Sequence, residues 1–149
     1  MNTIKGFFQV SLFFFACGFT PLLADQSTSI KLEIERAIGK GVKWLNQEQN
    51  RSSGHWGEAD YPALTALALR ATMGHPDELV VAQYSSNQIK GFSFLLSKVQ
   101  SDGGIYGKGL ACYNTSICMM ALLQSKNPEY EKIIQTARRF LINQQSDFD

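Results

Sequence analysis

The chain has 149 residues and a formal charge of +1, from 14 Lys and Arg against 13 Asp and Glu. That balance offers no single-sign field to attract nucleic acid or an anionic membrane surface. Three cysteines in a chain of this length do not make a disulfide-stapled mini-domain.

Lys5 gives a positive start, residues 6–19 form an apolar run broken only by Gln9 and Ser11, and Ala24 before Asp25 offers a small-residue cleavage point. Residues 1–24 therefore read as a secretory signal peptide, and the mature chain is expected in the periplasm or outside the cell. Retention of the run as a membrane anchor is the alternative, although it is short for a span. Cys17 as a lipoprotein site fits less well, because Phe14 and Phe15 suit that signal poorly.

From Leu32 to Gln49, apolar residues at Ile34, Ile38, Val42 and Leu45 fall on one helical face among Lys, Glu and Arg. The spacing predicts an amphipathic helix with that face in the core. Residues 51–57 are rich in Ser and Gly and predict a turn. Ala63 to Met73 is apolar almost all round and predicts a helix buried on most sides. The order then recurs: an amphipathic stretch from Ile89 to Val99, a glycine-rich turn from Gln100 to Gly109, and an apolar helix over Thr115 to Leu123. Asn127-Pro128 is suited to start a third amphipathic helix, with Asn accepting from free amides and Pro in the first turn. Its expected core face is Ile133 or Ile134, Ala137 and Leu141. Cys112 and Cys118, six residues apart, would lie about 9 Å apart along one helix, beyond disulfide reach, and read as buried small apolar residues.

The recurrence has a fixed interval. Lys40-Gly41-x-x-Trp44-Leu45, Gln49 and Gly54-His55-Trp56-Gly57 return as Lys90-Gly91-x-x-Phe94-Leu95, Gln100 and Gly104-Ile105-Tyr106-Gly107. Lys40/Lys90, Gly41/Gly91, Leu45/Leu95, Gly54/Gly104, Gly57/Gly107, Thr65/Thr115 and Ala71/Ala121 are each fifty residues apart. Ala137-x-x-Phe140-Leu141 with Gln145 opens a third copy. A period of this size predicts stacked helix pairs, with units at about 31–76, 77–126 and an incomplete 127–149. Alternating amphipathic and apolar helices suggest two layers, an all-α chain forming part of an α/α toroid. An open solenoid of helix pairs is the alternative, though such arrays have shorter periods.

The string Lys40-Gly41-x-x-Trp44-Leu45-x-x-x-Gln49-x-x-x-x-Gly54-x-Trp56 resembles the QW motif of squalene cyclases, lanosterol-type cyclases and prenyltransferase β-subunits. The second copy is looser, with Gln100 one place late and Tyr106 in place of the tryptophan. The resemblance implies an α/α toroid in which Gly41, Trp44, Gln49, Gly54, Trp56, Gly57, Gly91, Phe94, Gln100, Gly104, Tyr106, Gly107 and Gln145 are structural. In this reading Trp44 and Leu45 face the core, and Gln49 ties neighbouring helix ends together. It further implies an isoprenoid or other apolar small molecule as ligand, in a terpenoid cyclase-like or prenyltransferase-like protein. The chain carries no Asp-x-Asp-Asp acid cluster; Asp147-Phe148-Asp149 is a partial match. Cys112-Tyr113 resembles the zinc cysteine segment of prenyltransferases, but Leu110 stands where that site has aspartate, so no metal or cofactor is expected. No catalytic residue is assigned. The alternative is an exported toroid without terpene chemistry, a binding or scaffold module or a polysaccharide-active protein, for which Glu58, Asp60 and Arg70 are weak candidates. In either case the inner helices need covering, by further repeats of the same protein or by self-association.

Overall fold

A computed structural model describes residues 23–145. The expected signal peptide therefore lies almost wholly outside the described residues, as do Asp147-Phe148-Asp149. Among the described residues the chain is helical throughout, with one isolated bridge, Val99 to Ile105, inside a turn. The helices are α1 (Leu23–Glu48), α2 (Pro62–Met73), α3 (Glu78–Gln83), α4 (Ser85–Ser97), α5 (Ala111–Ser125) and α6 (Glu131–Asn143), with a 3-10 turn at Pro128–Tyr130 before α6.

The boundaries follow from local chemistry. Pro62 opens α2, where a missing N–H costs nothing, and the Gly74 amide closes it on the Arg70 carbonyl at 3.0 Å. Asp77 caps α3 by accepting from the Leu79 amide at 2.9 Å. Asn127 accepts from the Glu129 amide at 3.0 Å, and Pro128 follows it into the turn before α6. The short helix α3 was not expected from the sequence. It fills the connection between α2 and α4 and buries no residue of its own.

The apolar helices α2 and α5 pack side by side. Each also covers the amphipathic helix that follows it in the chain, α2 against α4 and α5 against α6. Leu69, Leu95, Ile105 and Leu122 lie fully buried at the centre. Leu-to-Ala changes at such sites cost about 2–5 kcal/mol. On α6 the buried face is Ile134, Ala137 and Phe140, with Leu141 only half-buried. Phe140 takes the place expected for Leu141 because the face rotates by one residue to meet α5.

α1 is different. Only Val42 of its expected apolar face is buried; Ile34 and Ile38 are exposed, because no part of the described chain covers the helix as α2 covers α4. α2 is buried on most sides, as expected, and is open along one stripe, where Leu64 and Leu67 are both 41% exposed.

Candidate functional site

The first helix-to-helix turn is a hydrogen-bonded clasp. A helix leaves its last four carbonyls without internal partners, and α1 ends at Glu48. The Trp56 indole N–H donates to the Leu45 carbonyl, and Asn87 Nδ2 donates to that of Asn46 at 3.4 Å. Gln49, buried at the helix end, donates from Nε2 both to the Gly54 carbonyl at 2.7 Å and to the Asn87 carbonyl at 2.8 Å. One amide thus joins the end of α1, the turn and the first turn of α4. The Trp56 amide in turn donates to Thr65 Oγ1 on α2 at 3.0 Å. Gly54 takes φ +77°, and a Cβ there would lie 2.6 Å from the Lys90 carbonyl oxygen, so the turn rests directly on the α4 backbone.

The second turn is built on the same plan with its residues displaced by one, but its glutamine bonds within the turn and does not reach the next helix. Gln100 Nε2 donates to the Tyr106 carbonyl at 2.7 Å and to the Lys98 carbonyl at 3.2 Å. The residue whose amide meets the α5 hydroxyl is Ile105, donating to Thr115 Oγ1 at 2.9 Å. Ile105, fully buried, therefore occupies the position of Trp56, which the fifty-residue alignment gave to Tyr106. The reason lies in the turn: five residues separate Gln100 from Ile105, against six from Asn50 to Trp56. Likewise Gly103, at φ +90°, takes the part of Gly54, since a Cβ there would lie 3.0 Å from the Thr136 carbonyl oxygen, while Gly104 lies under the Tyr106 ring. Gly107 is required by close approach instead: its Cβ would lie 2.6 Å from the Asp60 carbonyl oxygen, which accepts from the Lys108 amide at 3.2 Å. The two turns are stacked through their main chains.

Tyr106 itself is half-exposed. Its hydroxyl donates to Asp102 Oδ2 at 2.6 Å, and this bond holds the Asp102 carboxyl below its ordinary value, helped by the Gly104 amide. The same bond raises the Tyr106 phenol. Gln145, from the third copy, is exposed.

Trp44, expected in the core, is 58% exposed. With Leu45, Trp56, Leu64, Leu67, Ala68 and Ala71 it lines an apolar groove of about 460 Å³ between α1 and α2, with Glu48 at the rim. The positions fifty residues later explain the groove. Phe94, matching Trp44, and Ala121, matching Ala71, are buried on α4 and α5, the two helices that α2 packs against, and the Phe94 ring lies 5.1 Å from that of His55. Asn114, matching Leu64, is also buried and accepts from the Ala63 amide of α2 at 3.1 Å. Around Gly91 a Cβ would meet Leu69 at 2.9 Å and Trp56 at 3.0 Å, whereas Gly41 has nothing within 4 Å. The groove between α1 and α2 is thus the open counterpart of the surface that α2 fills in the next helix pair.

The remaining candidates are scattered. Cys118 is buried, which pushes its thiol up to about 12, but Cys112 is exposed, contrary to expectation, because it sits at the free first turn of α5. Leu110 precedes it in the left-handed region at φ 48°, its carbonyl accepting from Asn114 Nδ2 at 3.1 Å. Glu58 and Asp60 are exposed turn residues, and Arg70 is occupied with Gln124 at 3.2 Å. Among the described residues no group of three His, Cys, Asp or Glu side chains could hold a metal ion, and no helix is long and apolar enough to cross a membrane. The hydroxyls of Thr65 and Thr115 were visible in the sequence only as a matched pair; their role in receiving the turn amides depends on the fold. No family model, curated protein or solved structure matches this chain.

Proposed function

We propose that the chain is a helix-docking scaffold module of the QW-repeat type, a partial α/α toroid whose open groove between α1 and α2 receives a further apolar helix. The observation that supports this reading is the paired environment of Trp44 and Phe94. The two stand fifty residues apart on equivalent helices, one 58% exposed and the other 7%; the second lies against His55 of the first turn, on a helix that α2 packs against. A groove whose counterpart is filled by a helix has the shape and polarity to take one. Exposed apolar surface of this kind marks an interaction site more often than a free face.

A second reading draws on the lining itself. Two indoles with leucines and alanines also suit an isoprenoid chain, the substrate class of the cyclases and prenyltransferases that the motif resembles. Cyclisation would need a carboxylic acid facing the bound alkene. Glu48, at the rim, is the carboxylate that lines the groove, so the helix-docking reading is preferred.

Trp44 emission separates the two, because Trp56 is buried and already fixed. A synthetic peptide copying residues 61–74 is expected to shift Trp44 emission to the blue at micromolar concentration, and Leu67→Glu is expected to remove the response. A response to farnesol but not to the peptide favours the isoprenoid reading. No response to either from the monomeric chain overturns both.

A further inference from the structure

We infer that the groove is filled by a second copy of this chain, through antiparallel pairing of α1 with α1. The N-terminal half of each α1 then lies in the groove of the other. This rests on the helix-docking reading above and names the occupant.

α1 has 26 residues where α4 and α6 have 13 each. Its additional turns carry Ile30 and Ile34, and Ile38 continues them at four-residue spacing, the three exposed by 57, 54 and 39%. Scattered exposed apolar side chains are ordinary, but a continuous stripe along one helix face is not. The chain therefore presents two unpartnered apolar features on one element: a stripe on the first half of α1 and a groove beside the second half. Ile30 and Trp44 are roughly 21 Å apart along the axis, at 1.5 Å per residue. A two-fold axis near Ala37 brings each Ile30 to the other copy's Trp44, so stripe and groove close together at both ends.

Charge and size agree with this direction. Lys31, Glu33, Glu35 and Arg36 precede the midpoint, and Lys40 and Lys43 follow it. In the antiparallel register Glu33 of each copy falls beside Lys40 of the other, giving two acid–base pairs that parallel pairing does not form. Gly41, on the face of Ile34 and Ile38, has nothing within 4 Å, so two helix backbones can approach closely there. In the internal counterpart, Gly91 receives Leu69; here Gly41 receives an isoleucine of the partner. Because the contact is isologous, both grooves are satisfied in one step and the assembly stops at two.

The test is light scattering with size exclusion on the full chain across a concentration series. A dimer is expected. Ile34→Glu should leave a monomer with unchanged helix content, since Ile34 is 54% exposed and outside the core of the described residues. Glu33→Lys and Lys40→Glu should each weaken the dimer several-fold, and the double variant should restore it. With Cys17 and Cys112 changed to Ser, a mixture of Ile30→Cys and Trp44→Cys chains should cross-link unlike variants. A dimer that survives Ile34→Glu, or that cross-links like variants, overturns the pairing. A monomer at tens of micromolar overturns the inference altogether. If that monomer's Trp44 still responds to the peptide of residues 61–74, helix docking stands and only the occupant is wrong; if it does not, both fail.

Discussion

Glycines fifty residues apart, alike in sequence, differ in what surrounds them. Gly41 sits in mid-helix with open space about it, and Gly91 sits in the same helical position under Leu69 and Trp56. Alanine should therefore act in opposite directions. Gly41→Ala, measured by urea denaturation in dilute solution, should stabilise by about 0.5–1 kcal/mol, since an interior helical glycine costs that much relative to alanine. Gly91→Ala should destabilise by about 1–2 kcal/mol, the overpacking exceeding the propensity gain. Gly54→Ala should cost at least about 2 kcal/mol, because it combines a positive φ with a backbone clash against Lys90. Equal effects at Gly41 and Gly91 would contradict the coverage of α4 by α2.

At the scale of the element, the clasp depends less on the motif aromatic than on the hydroxyl behind it. Thr65 and Thr115 are both fully buried, and each receives the amide of the residue at the aromatic position, Trp56 in one turn and Ile105 in the other. Valine keeps the shape and removes the acceptor, leaving a buried N–H unsatisfied. Thr65→Val and Thr115→Val are each expected to cost about 1–3 kcal/mol in chemical denaturation. A loss below about 0.5 kcal/mol at both would show that the turns are held by other means. Helix positions and the two turns were legible in the sequence, because apolar spacing and glycine clusters report on local conformation. The exchange of Tyr106 for Ile105 was not. Deleting one residue before the aromatic position and adding one after it leaves the interval unchanged, and only the hydrogen bond to Thr115 reveals the shift. The exposure of Trp44 was hidden for a different reason: a helix face shows what it can bury, not whether a neighbour is present.

For the whole molecule, the described fold is one core shared by α2, α4, α5 and α6, with α1 joined mainly through its C-terminal clasp. Cys118 lies in that core and Cys112 at its edge on the same helix. Treated with a thiol reagent near pH 8 and mapped by mass spectrometry, Cys112 should react at the rate of a free thiol. Cys118, buried and with its thiol pushed up to about 12, should react only as fast as the core opens, and urea should accelerate it. Modification of both at one rate would mean that α5 is not held as a unit. The all-helical class could be read from the sequence, but the candidate site could not. It is formed where no described residue covers α1, a property of the assembled helices rather than of any residue.

The stacking of the two turns has a further consequence. Gly107 meets the Asp60 carbonyl with main chain on both sides, and the Lys108 amide closes the contact. The spacing between successive helix pairs is thereby gauged by backbone atoms, whose dimensions do not change with the side chains they carry. Side chains between α2 and α5 can be exchanged widely while the spacing of the two turns stays constant. A designer wishing to alter that spacing would have to cut into the turns, at Gly107 first.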